Sequence, residues 1–276
     1  MENAPLNVLR FLGKTNLFIS FGSLFSVLGA AAYIGLEPDF SLAYFSFFAT
    51  IFTYNFQRRI GDLNHDQSYS KTGSAMMIIG LVGMGYYGFE LVTYQLIVLG
   101  FTGLISLAYA YPFIPSKRGK LSLRLVPGFK LWIIVFVWTL SCVVLPVAET
   151  EWNIPIIALF TLQQAAFVTA LTIPFDIRDL PVDWPEQKTI PQVFGVNRAR
   201  NLALVFLMLS ALAGLSLFLL GKIQFDLVLI HLMVLLFSAG LVTKAKTKNS
   251  ELYFSIAIDG MLILQGGAFV LAKYYI

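Results

Sequence analysis

Nine apolar runs, each bounded by charges or turn residues, limit what this chain can fold into: Leu17 to Leu36, Phe40 to Tyr54, Ser74 to Phe89, Val92 to Tyr111, Leu131 to Val147, Ile154 to Ile173, Leu202 to Leu220, Phe225 to Val242 and Leu252 to Leu271. A helix needs about 20 residues to cross a hydrocarbon core of roughly 30 Å. Of the 276 residues, 58% are hydrophobic and only 12% are charged, where soluble domains carry roughly 25% charged residues. No water-soluble fold of this length could hide so much apolar surface, so lipid is its main solvent. The runs predict an all-α fold, a polytopic membrane bundle of about nine helices, with residues 1–276 forming a single integral membrane domain. Transmembrane β-barrels show short alternating segments instead, which excludes that architecture.

Loop charges give the bundle a direction. Seventeen Lys and Arg residues fall on one side, and only Lys222 and Lys273 fall on the other, where Glu37, Asp39, Glu149 and Glu151 lie. Cytoplasmic loops hold the cationic excess, so the expectation is a multi-pass protein of a bacterial cytoplasmic (inner) membrane, with its N-terminus inside and its C-terminus outside. The net charge of +4 is accounted for by topology determinants facing anionic membrane lipids, and no nucleic-acid partner is expected. Cys142 is the only cysteine, which leaves no disulfide framework and no cysteine-built metal site. Gly80, Gly83, Gly85 and Gly88 mark the third run as a surface for close helix packing.

Polar residues of specific character crowd into three inside loops. The first contains Asn55, Arg58, Arg59, Asp62 and Asp66; the second contains Lys117, Arg118, Arg124 and Lys130; the third contains Asp176, Arg178, Asp179, Asp183 and Lys188. Asp176, Asp179 and Asp183 stand at i, i+3 and i+7, on one face of a continuous helix, although Pro181 interrupts it. Clustered carboxylates repel one another and require a compensating cation. Magnesium suits them as a hard cation with oxygen ligands, while pairing with Arg178 and Lys188 is the simpler alternative.

The third loop, with Asp176-Ile-Arg-Asp179-Leu-Pro-Val-Asp183 followed by Lys188-Thr-Ile-Pro191, resembles the second aspartate-rich motif of the UbiA-type intramembrane prenyltransferases. Tyr111-Pro112, Lys117-Arg118 and Pro127-Gly128-Phe129-Lys130 resemble the basic stretch between that family's fourth and fifth helices. The first loop departs from the pattern: Asn55 matches its opening residue, but the three aspartate positions hold Phe56, Arg59 and Leu63, with Asp62 one residue out of register and Asp66 beyond it. The resemblance implies transfer of an isoprenoid chain from a prenyl diphosphate to a lipophilic acceptor, aromatic acceptors included. Magnesium would sit on Asp176, Asp179 and Asp183, with Asp62 and Asp66 as weaker ligand candidates. Asn55, Arg58, Arg59, Lys117, Arg118, Lys130 and Lys188 would bind the diphosphate. A relative that binds an isoprenoid or lipid without turnover is the alternative, and a small-molecule transporter is a third class. A transporter would show midplane polar groups and internal repeats.

Within the spans, Asp259 is an intramembrane carboxylate and therefore a cavity candidate. Gln163, Gln164 and His231 are expected to pack between helices.

Overall fold

The computed structural model describes residues 4–64, 71–116, 119–148 and 150–275, and their side chains except at 4, 5 and 62–64. All nine apolar runs lie on helices. A short helix α1 (Ala4–Lys14) precedes α2 (Leu17–Tyr33), α3 (Phe40–Asn64), α4 (Lys71–Gly88) and α5 (Thr93–Ala110). Next come α6 (Lys130–Thr139), which runs on through a π turn and a short 3-10 turn to Val147, and α7 (Ile154–Asp179). A one-turn helix α8 (Ile190–Phe194) leads into α9 (Val196–Leu219), α10 (Phe225–Lys244) and α11 (Gly260–Tyr275), the last preceded by a π turn over Tyr253–Ile258.

Among the described residues, six helices have the length and apolarity of a membrane span, or seven if α1 and α2, bent by 74°, count as one. The count of nine crossings thus exceeds what length and apolarity alone support. The two shortfalls are α3, which is diluted by Ser, Thr and its terminal Arg58 and Arg59, and α4, which is rich in glycine. A short antiparallel ladder in the second loop departs from the all-helical expectation: β1 (Ile114–Ser116) pairs with β2 (Gly119–Leu121), with Pro115 opposite Lys120.

Lipid-embedded helices gain little from burying apolar surface, so small residues that permit close approach decide where they pack. Gly266 of α11 fills this role: a Cβ there would lie 1.9 Å from the Phe25 carbonyl oxygen of α2, and one on Gly29 would lie 2.4 Å from Gly266 Cα. On α4, Gly80 and Gly83 face Phe52 and Phe48 of α3 at similarly short range, whereas Gly85 has open space around it.

A buried polar network fastens the other half of the bundle. Gln163 Nε2 of α7 donates to the Tyr33 hydroxyl at 2.9 Å, and Ser210 Oγ donates to the Gln163 carbonyl at 2.7 Å. That leaves the Ser210 oxygen to accept from His231 Nε2 at 3.1 Å, while His231 Nδ1 accepts from Gln265 Nε2 at 3.0 Å. One histidine tautomer satisfies both contacts, so His231 is a fully packed residue.

Candidate functional site

The polar residues predicted to carry chemistry gather where α6 begins and α7 ends. Two clips set that geometry. Gly128, whose φ of 77° suits glycine, donates its N–H to the Gln187 carbonyl at 2.9 Å. The Gln187 side chain in turn donates to the Arg124 carbonyl at 2.8 Å. The loop before α6 is thereby tied to the turn after α7, which fixes Lys130 against the aspartates.

Lys130 Nζ stands 3.1 Å from Asp176 Oδ1, 3.0 Å from Asp179 Oδ2 and 2.6 Å from Asp183 Oδ2, with a side chain only 5% exposed. The predicted one-face arrangement is realised differently from an unbroken helix. α7 stops at Asp179, and a turn in which Asp183 N–H donates to the Asp179 carbonyl at 2.8 Å carries Asp183 back to the same point. Arg178 Nε donates to Asp179 Oδ1 at 2.8 Å, and its guanidinium lies over the Phe175 ring, 4.9 Å from the centroid. Half-exposed Arg124 approaches Asp183 at 3.5 Å and Asp179 at 3.7 Å. Its partial burial opposes the charge, but Tyr109, Asp179 and Asp183 outweigh that and raise its pKa.

This charged cluster forms one end of a cavity of about 720 Å³. Arg58, Arg124, Lys130, Asp176, Arg178 and Asp179 line it. Further inside, the wall is aromatic and apolar, with Tyr54, Tyr109, Trp138, Cys142 and Leu262. Asp259 lies in this wall too. Both π turns border the cavity, one through Ser141 and Cys142 and the other through Ser255; such register shifts in helices recur at functional sites.

Of the other predicted residues only Arg58 reaches the cavity wall among the described residues. Asn55 is fully buried, and its amide donates to the Thr15 carbonyl at 3.0 Å and to the Ile51 carbonyl at 2.9 Å. Arg58 donates to the Lys14 carbonyl and to Asn16 Oδ1, the latter at 3.2 Å. Arg59 and Lys188 are exposed and outside the cavity wall, and among the described residues the aspartates pair with Lys130, Arg124 and Arg178 in place of Lys188. Lys117, Arg118, Asp66 and the Asp62 side chain lie outside the described residues. Arg178 was expected as a partner of the aspartates and pairs with Asp179, whereas Arg124 was legible only as a loop charge.

Magnesium fits this cluster in one respect and fails in another. Asp176 is buried, its Oδ2 has no partner among the described residues and its Oδ1 has only the Lys130 ammonium at 3.1 Å, which leaves lone pairs of the kind a metal ligand would use. However, the Lys130 ammonium fills the point on which the three carboxylates converge. Among the described residues, no group of three or more His, Cys, Asp or Glu side chains could hold a metal ion. As the side chains stand, the cage contains an ammonium ion and does not fit a dication.

No protein-family profile matches the chain, and no curated protein sequence does. Solved structures do. A UbiA homologue from Aeropyrum pernix K1 is similar over 92% of this chain and 97% of its own, at 14% identity and a TM-score of 0.64. A digeranylgeranylglyceryl phosphate synthase is similar over 100% of both chains, at 14% identity and a TM-score of 0.60. A UbiA homologue from Archaeoglobus fulgidus, solved with GPP and Mg2+, is similar over 96% of this chain and 98% of its own, at 15% identity and a TM-score of 0.53. This chain therefore has the UbiA-type fold. It is an integral membrane protein.

Proposed function

We propose that this protein transfers an isoprenoid chain from a prenyl diphosphate to a lipophilic acceptor. The observation that carries this reading is the single cavity that joins a cationic mouth to an aromatic, apolar interior. Its volume of about 720 Å³ falls in the range of ligand pockets, roughly 300–1,000 Å³. The diphosphate binds at the mouth, where Arg58, Arg124 and Arg178 supply charge-assisted donors; the family resemblance adds Lys117 and Arg118, which lie outside the described residues. The isoprenoid tail occupies the interior. When the allylic C–O bond breaks, the electron pair leaves with the diphosphate, and the cation faces the Tyr54 and Trp138 rings of the cavity's apolar interior. The acceptor attacks this cation to form the new bond and gives up its displaced proton to the departing diphosphate, while Asp259, in the cavity wall, is the candidate to hold the acceptor's polar group. A magnesium ion, the cation expected from the sequence, would have to displace Lys130 to reach Asp176, Asp179 and Asp183.

The seventeen-to-two cation bias supports a mouth on the cytoplasmic face of a bacterial inner membrane, with the N-terminus inside. A second reading, an isoprenoid-binding relative without turnover, is favoured by Phe56, Arg59 and Leu63, which replace the first-motif aspartates. Incubating purified protein with labelled prenyl diphosphates of several lengths and candidate acceptors separates the two. Labelled product supports transfer, binding without product supports the second reading, and absence of binding removes both.

A further inference from the structure

The Lys130 cage is balanced as it stands. Three carboxylates, Asp176, Asp179 and Asp183, face three cations, Lys130, Arg124 and Arg178. A dication is drawn to carboxylates by uncompensated negative charge and by free lone pairs. Here the charge sums to zero, and oxygens of Asp179 and Asp183 already accept from Lys130 at 3.0 and 2.6 Å. An ammonium has three N–H donors and no acceptor, which matches three carboxylates around one point. Nor is Lys130 a long side chain that has wandered in. It is the first residue of α6, and the Gly128–Gln187 and Gln187–Arg124 hydrogen bonds hold its backbone across from the end of α7.

We infer that Lys130 is the resident cation of this aspartate cage and takes the place a divalent metal would occupy. Its ammonium neutralises the carboxylates so that a polyanion can approach them without a metal ion. The cage is neutral overall, so Arg124 and Arg178 offer the anion hydrogen bonds without net charge, and Arg58, the one cavity-wall cation outside the cage among the described residues, supplies the net attraction. The inference rests on the transferase reading only for its bearing on diphosphate binding, because occupancy of the cage is measurable without substrate.

Mn2+ serves as the probe, titrated into the full-length protein in detergent and followed by electron paramagnetic resonance. Wild type should leave the signal of free Mn2+ undiminished. Lys130→Met should bind one Mn2+ per chain, lose that site when Asp176→Asn is added, and show a melting temperature that rises with Mn2+. Lys130→Arg, which keeps the cation, should behave as wild type and serves if Lys130→Met does not fold. Wild-type binding of Mn2+ that Asp176→Asn abolishes would overturn the inference, as would a folded Lys130→Met variant without a Mn2+ site. A second arm measures geranyl diphosphate binding to wild type in EDTA and in Mg2+. Equal affinity is expected. Binding seen only with Mg2+ overturns the inference and spares the diphosphate reading. Absence of binding under both conditions overturns the diphosphate reading, and the Mn2+ titration then decides the cage by itself.

Discussion

Asn55 Nδ2 donates to the Thr15 carbonyl at 3.0 Å, joining α3 to the break between α1 and α2. The same amide caps the Ile51 carbonyl, so a residue with the look of a ligand fastens backbone. Asn55→Ala should therefore leave a buried carbonyl short of a donor and cost about 1–3 kcal/mol. Thermal unfolding in detergent checks this, and an unchanged melting temperature would show that the bond carries no weight.

Arg58 and Arg59 are neighbours in sequence, but only Arg58 lines the cavity. Arg58→Ala should weaken prenyl diphosphate binding by roughly 1.5–3 kcal/mol, the range for hydrogen bonds to charged groups, whereas Arg59→Ala should change it by less. Calorimetry on both variants tests the ranking. A larger loss for Arg59→Ala would return the diphosphate to the position that the motif alignment suggests.

At Gly266, an added methyl group meets backbone, which cannot rotate away. Gly266→Ala should destabilise the bundle by about 3 kcal/mol or more, the upper end for overpacking. Gly85→Ala, with nothing within 4 Å of its Cβ, should be close to neutral. Equal melting temperatures for the two variants would mean that α2 and α11 can separate at no cost.

Glu37 sits at the far end from the cavity mouth and pairs with Lys273 at 2.9 Å. A hydrogen bond from Lys273, and then one from Tyr274, lowers the Glu37 pKa. Because the folded-state pKa is the lower one, the contribution to stability is present above the ordinary carboxylate pKa and is lost as pH falls through the lowered value. Glu37 is exposed, so the effect is small. Wild type should melt slightly above Glu37→Gln at neutral pH, and the gap should close in strong acid. A gap that persists in acid would point to packing as its source.

For topology, Lys120→Cys and Thr150→Cys in a Cys142→Ser background should react with an impermeant maleimide from opposite faces of the membrane, Lys120→Cys from the cytoplasmic face. Labelling of both from one face would sink the predicted orientation.

Much of the fold was readable because each span must be apolar over its whole length, a signal that survives without any knowledge of packing. The aspartate cluster was readable too, since the spacing of Asp176 and Asp179 is helical. What escaped was decided by tertiary contact. The position of Lys130 depends on clips through Gly128 and Gln187, residues whose sequence neighbourhood says nothing of partners more than fifty positions away. The exclusion of Arg59 and Lys188 likewise depends on which way a helix face or a turn happens to point. The β1–β2 ladder is only three residues a side, too short to leave a periodic pattern.

The contact between Gly29 and Gly266 also bears on the order of synthesis. Chains enter the membrane from the N-terminus onward, so α2 is inserted long before the helix that seals against it exists. Until α11 arrives, the surface around Gly29 and Phe25 has only lipid for a neighbour. A ribosome that stalls within the last span, or a nonsense codon there, would leave a bundle with an open seam. Such a product offers membrane quality control a clear mark of incompleteness, and it would be removed even though its charged cavity mouth had already formed.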